Sequence, residues 1–158
     1  MNFSLFRNVI RSWRRWRVLP PHLRRGQQGE RAAKRYLRRQ GLKFLTANYS
    51  GKHGEIDLIF RDGRELVFVE VKTRSTEDWT RPATAVNAKK KRRLSRTALA
   101  YLKAVGFPPV PFRFDIVEII MSGTKADQIR HLPNAFPLSS PYVYGWPSSS
   151  KTEAGDKG

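Results

Sequence analysis

Acidic residues are scarce in this chain, 13 against 31 lysines and arginines, and Glu55, Asp57 and Glu70 fall on two neighbouring stretches that pair naturally. Gly54 to Phe60 and Glu65 to Lys72 have strand character, and Asp62-Gly63 between them is a two-residue hairpin signal. With Asp62 and Gly63 in the loop, Arg61 pairs with Arg64, Asp57 faces Phe68, Glu55 faces Glu70 and His53 faces Lys72. Opposed residues point to one side, and side chains alternate along each strand. Glu55, Asp57, Glu70 and Lys72 therefore share a face, while Ile56, Leu58, Val67, Val69 and Val71 share the other. Asp57 and Glu70 are diagonal neighbours, with α-carbons roughly 7–8 Å apart, within which two carboxylates converge on one small cation. Hard oxygen donors with open positions suit Mg²⁺ or Mn²⁺.

Like charges opposed across a pair cost from a few tenths to about 1 kcal/mol. Taken alone, such an alternation is more often a solvated hairpin face with Lys72 paired to Glu70, and a slip of one residue would undo it. The run VFVEVK argues the other way. It is apolar on both sides, as a central strand is, so Glu70 and Lys72 would enter a covered region, where charge needs a partner or a metal.

Several elements must position these residues. Gln27 to Gln40 is a helix closed by Gly41. Glu30, Ala33 and Leu37 form one stripe, while Arg31, Arg35, Arg38 and Arg39 project outward. Lys43 to Tyr49 is a candidate first strand. After a loop over 75–83, a second helix runs from Thr84 to Val105, burying Leu94, Ala98, Tyr101, Leu102 and Val105. It exposes Lys89, Lys90, Lys91, Arg92, Arg93 and Arg96, and Gly106 with Pro108-Pro109 ends it. Phe112 to Ile120 is the last strand. Three segments result: a basic arm over 1–25, a domain over 26–120, and a Pro- and Ser-rich tail of low core content over 121–158. The order αβββαβ is that of an α/β domain.

The arm carries Arg7, Arg11, Arg14, Arg15, Arg17, Arg24 and Arg25, with Phe3, Phe6, Ile10 and Trp13 at helical spacing before Pro20-Pro21. It suits a phosphate-binding or membrane-surface helix, a presequence-like leader, a disordered basic tail, or sequence upstream of a start near Val18. The formal charge of +18 calls for a polyanionic partner, nucleic acid or an anionic membrane. With no cysteine, disulfides, thiol nucleophiles and cysteine-ligated zinc are excluded, and with only 3 histidines an imidazole-rich metal site is disfavoured. No apolar run approaches the roughly 20 residues of a membrane-spanning helix.

Gly54-Glu55-Ile56-Asp57 followed by Phe68-Val69-Glu70-Val71-Lys72-Thr73-Arg74 resembles the YraN-like family of small bacterial proteins. The likeness extends to Gly26-Gln27-Gln28-Gly29-Glu30 with Ala33, to Ala85-Val86, Lys90 and Arg93-Leu94, and to Arg113-Phe114-Asp115, in order over residues 26–120. That family is similar to restriction-endonuclease-like nucleases of the PD-(D/E)xK type, especially archaeal Holliday-junction resolvases. The resemblance implies a mixed central sheet flanked by helices. It casts Asp57 and Glu70 as metal-binding acids, Lys72 as the lysine that follows, Glu30 as an additional helix acid, and Glu55 in a supporting role. Arg113 and Asp115 are expected to be structural.

The implied activity is Mg²⁺- or Mn²⁺-dependent endonucleolytic hydrolysis of structured or branched DNA in a bacterial cytoplasm. Lys89, Lys90, Lys91, Arg92 and Arg93 would hold phosphates, and a homodimer is a further expectation. The alternative is a non-catalytic nucleic-acid- or ribosome-binding module that keeps the fold without turnover.

Overall fold

The computed structural model describes residues 20–74, 86–106, 108–123 and 125–142. The arm up to residue 19, the loop expected over 75–83 and the last part of the tail lie outside them. The order is α1 (Pro21–Arg39), β1 (Lys43–Gly51), β2 (Gly54–Asp62), β3 (Glu65–Arg74), α2 (Ala88–Ala104), β4 (Phe112–Ser122) and β5 (Lys125–Phe136). The five strands form one sheet in sequence order, antiparallel except for β3 and β4, which the α2 crossover leaves parallel. Antiparallel neighbours close with a short turn, whereas a parallel pair needs a long connection. This is the expected mixed α/β core with one strand added.

Among the described residues, each face of the sheet carries one helix. Ala32, Ala33 and Leu37 of α1 pack on Leu58, Phe60, Val67, Val69, Val117 and Ile119. Leu94, Ala98 and Leu102 of α2 pack on Ile59, Phe68, Phe114 and Ile116. Because β3 is central and covered on both sides, its apolar run VFV is buried throughout. Gly29 is what lets α1 sit down on β3, since a Cβ there would lie 1.9 Å from Thr73 Oγ1.

The structure departs from the sequence reading in four places. Helix α1 begins at Pro21, because proline is tolerated in a first turn, where its missing N–H has no helical partner. Residues 20–25 thus adjoin the domain instead of the arm. Helix α2 starts only at Ala88, with the Asn87 side chain capping Lys90 N, and Val105 just past its end is exposed.

The hairpin register differs by two residues along β3. Asp62 pairs with Glu65, and Gly63-Arg64 make the turn with Gly63 at φ +55. Two opposed carboxylates are tolerable because Arg113 on β4 bonds to both. Ile56 also does not share a face with Leu58. Asn48 takes φ +53 in β1, between Ala47 and Tyr49, which pair with Leu58 and Ile56. The left-handed residue interrupts the alternation, so Tyr49 and Ile56 face α2 while Ala47 and Leu58 face α1.

The fourth departure is β5, where a tail of low core content was expected. Its apolar residues serve both faces: Ala126 and Ile129 join the α1 side, Leu132, Ala135 and Phe136 the α2 side. Register shifts between Phe114 and Ile116, and between Ile120 and Met121, re-aim the strand. Pro133 is compatible with a strand at the sheet edge.

Candidate metal and phosphate site

The predicted acids meet at the end of the hairpin furthest from its turn. The ladder from Asp62–Glu65 to Leu58–Val69, continued by one step, sets Asp57 against Glu70. In place of a sixth pair, Asp57 Oδ2 accepts a 2.7 Å hydrogen bond from Val71 N. Glu70 is 3% exposed on the α2 side of β3. Lys72 Nζ lies 3.0 Å from its Oε1, and Lys90 Nζ, from the first turn of α2, lies 3.1 Å from its Oε2. That second approach is an ion pair without an aligned hydrogen bond, so Oε2 is buried and incompletely satisfied.

Burial, then the charge of Glu70, pushes the Asp57 carboxyl up from 3.8 to about 7, against the pull of the Val71 amide and Lys90. Glu30 is also raised, first by burial and then by Glu55, despite a hydrogen bond with the Asn48 side chain and the pull of Arg31. Carboxylates collected where they are costly to ionise define a place where an added cation gains energy.

A cleft of about 380 Å³ opens on this group, lined among others by His22, Arg25 and Gly26 of α1 and by Thr73 of β3. A second, of about 330 Å³, shares Lys72 with the first and adds Asn87, Lys89, Lys90 and Arg93. An acidic floor thus passes directly into a basic cleft.

Asp57, Glu70, Lys72 and Glu30 all line the first cleft. Glu55 does not: it is exposed, pairs with Ser50 in β1 and accepts a 3.2 Å bond from the Ser50 hydroxyl. It reaches the group only through its charge on Glu30. His53 does not face Lys72, since its carbonyl accepts from Arg93 Nε at 3.4 Å. The basic run on α2 also divides. Lys90 turns to Glu70, Lys91 lies 5.5 Å from the Phe136 ring centre, and Arg93 meets the His53 carbonyl, while Lys89 and Arg92 are exposed.

Sequence reading missed His22 and Arg25, because the double proline was taken to end a segment instead of starting a helix. It also missed Asn48, whose residue type tolerates the left-handed region but carries no pattern. Among the described residues no three carboxylate or imidazole side chains form a ready-made metal cage. Mg²⁺ commonly takes only one or two carboxylates and keeps waters. The Asp57–Glu70 pair, with its incompletely bonded buried oxygen, fits that demand.

The five-stranded mixed sheet with its described helices is a mixed α/β fold, consistent with a nuclease-like core. The profile of the uncharacterised protein family UPF0102 matches residues 29–119. A UPF0102 protein of Geobacter sulfurreducens is 41% identical over 114 residues, which is 72% of this chain and 89% of that protein. One of Symbiobacterium thermophilum is 44% identical over 111 residues, 70% of this chain and 94% of its own length. One of Porphyromonas gingivalis is 38% identical over 118 residues, 74% and 87% respectively. The chain belongs to the UPF0102 family, which is the YraN-like family that its motifs resemble. Among the described residues no helix is long and apolar enough to cross a membrane.

Proposed function

We propose that this protein is a divalent-metal-dependent endonuclease acting on structured or branched DNA. One observation carries the reading: the Asp57 carboxyl, pushed up to about 7, stands beside buried Glu70, whose Oε2 lacks an aligned partner, at the floor of an open cleft. With two lysines already on Glu70, the cost that remains is that of ionising Asp57 beside it, which a further cation would relieve.

Asp57 and Glu70 would hold Mg²⁺ or Mn²⁺, which supplies a polarised water and an electrophile for the scissile phosphate. Asp57, whose carboxyl is pushed up to about 7, would release its proton to solvent in order to hold the cation. Lys72 Nζ, 3.0 Å from Glu70 Oε1 and partly open to the cleft, would stabilise negative charge developing on the phosphoryl oxygens. Glu30, bonded to Asn48, contributes charge to the site instead of a third close oxygen. Lys89 and Arg93 grip the flanking phosphates, contacts that are blind to sequence and weakened by salt. The +18 formal charge supports a polyanionic substrate.

The test is a panel of branched, nicked and single-stranded DNA and RNA, incubated with Mg²⁺ or Mn²⁺ and with an Asp57→Ala control. Cleavage that needs metal and disappears in Asp57→Ala is expected. Binding without cleavage under either metal would leave the non-catalytic binding module as the correct reading.

A further inference from the structure

The acidic floor is already neutralised from within. Two ammonium groups sit on Glu70, one on each oxygen, before any external cation arrives. A divalent ion joining both lysines at Glu70 would bring positive charge into close repulsion, so one lysine has to give way.

The two are held differently. Lys72 lies within the β3–β4 ladder, paired with Glu118 two residues beyond Glu70. Lys90 reaches across from a helix whose first turn is pinned by the Asn87 side chain on Lys90 N at 2.9 Å. Its backbone is fixed while a flexible four-carbon stem carries the charge. Lys90 also borders the basic cleft with Lys89 and Arg93, so a swing of the stem would carry its ammonium from the Glu70 carboxylate into that cleft.

We propose that Lys90 is an internal stand-in cation: its ammonium fills the Glu70 end of the site until a divalent metal displaces it, and the freed side chain then binds a backbone phosphate in the adjoining cleft. This rests on the metal-dependent reading of the Asp57–Glu70 site. Metal and phosphodiester binding are thereby coupled, and linkage makes the coupling reciprocal. The device keeps the buried acids paired when no metal is bound and supplies a phosphate contact only when one is.

The experiment uses the full chain as wild type, Lys90→Met, Lys90→Arg and Asp57→Asn. Mn²⁺ binding without nucleic acid is read from the electron paramagnetic resonance of free Mn²⁺. Binding of a fluorescein-labelled single-stranded oligodeoxynucleotide is read by anisotropy over a salt series, in EDTA and in Ca²⁺. Removing the competing charge in Lys90→Met should tighten Mn²⁺ about tenfold, while Lys90→Arg, which keeps the charge, should not. In wild type, Ca²⁺ should steepen the salt dependence of oligonucleotide binding by about one ionic contact, and in Lys90→Met it should not.

Unchanged or weaker Mn²⁺ binding in Lys90→Met, or an equal steepening in both proteins, overturns the inference. If that result comes with Mn²⁺ binding that Asp57→Asn abolishes, the metal site stands and only the role of Lys90 falls. Mn²⁺ binding that is absent, or indifferent to Asp57, removes both.

Discussion

Two aspartates, half-buried Asp57 and fully buried Asp115, sit in matching places in this fold and have opposite fates. Asp57 on β2 and Asp115 on β4 each lie beside an outer strand carrying a left-handed asparagine, Asn48 at φ +53 in β1 and Asn134 at φ +51 in β5. Around Asp115 every demand is met. Its Oδ1 accepts from Arg113 Nε at 3.0 Å and from Asn134 N at 2.9 Å, and His131 Nε2 lies 2.8 Å from Oδ2. Burial works against this carboxyl, but the bonds to His131, Asn134 and Arg113 outweigh it and hold it below the usual carboxylate range.

Around Asp57 the asparagine side chain bonds to Glu30 instead, and Asp57 keeps one backbone bond beside a second buried acid. The difference separates a carboxylate bonded on every side from one that, on the proposed reading, would be open to a ligand. Desolvation, which raises both carboxyls, does not make that distinction. Completeness of partners does.

The largest effect that tests this contrast is on stability. Asp115→Ala should cost about 3–5 kcal/mol in denaturant unfolding, because Arg113 and the Asn134 amide lose a buried partner. A loss under about 1 kcal/mol would mean that the network is ornamental. Next in size is the pH dependence set by Asp57. A carboxyl raised from 3.8 to about 7 binds a proton more tightly in the folded chain. Its contribution is full below the unfolded value and is lost as pH rises through about 7. Without metal, stability should fall by on the order of 3 kcal/mol between about pH 4 and 8, and Asp57→Asn should abolish that fall. Asp115, lowered in the fold, acts in the opposite sense: its contribution is present above pH 3.8 and lost on further acidification. Denaturant titrations of wild type and Asp57→Asn across pH 3–8 would show both limbs, and a flat wild-type profile from pH 4 to 8 would remove the distinction.

Much of this arrangement was legible in the residues, though for uneven reasons. The strands from Gly54 to Lys72 and the α2 stripe of Leu94, Ala98 and Leu102 declare themselves, because each has a continuous apolar requirement. The meeting of Asp57 and Glu70 followed from pairing, yet it came about through a different register. The turn signal placed Gly63 second, and only Arg113, distant in sequence, makes the Asp62–Glu65 pair acceptable. Strand β5 left no such trace, since its bulges split five apolar residues between two faces. Lys90 was visible as one charge in a basic run, but its turn towards Glu70 is a tertiary fact with no local signature.

Smaller in size is the support beneath the Asp57 side of the comparison. Gly29→Ala places a Cβ 1.9 Å from Thr73 Oγ1, where α1 lies against the strand that carries Glu70 and Lys72. Overpacking of this kind should cost about 1–3 kcal/mol. Thr73→Ala in the same chain should recover part of that loss, because the hydroxyl is the nearest obstacle and Thr73 Cβ remains at 3.0 Å. Recovery is read from the double-mutant cycle, and strictly additive losses would place the clash elsewhere.

The smallest expected effect is at Glu55, and its smallness is informative. Glu55 belongs to the sequence motif beside Asp57, yet it is exposed and bonded only to Ser50 across the β1–β2 pair. Glu55→Gln keeps that hydrogen-bonding capacity and removes a charge that raises Glu30. Stability should change by less than about 0.5 kcal/mol, the range of an exposed substitution. The Glu30 carboxyl, followed by NMR titration, should move down towards its ordinary value. An unmoved Glu30 would deny Glu55 any electrostatic reach into the cleft. A large loss of stability would instead align Glu55 with Asp115, as a carboxylate held for structure, and would show that exposure is a poor guide to which acids this sheet depends on.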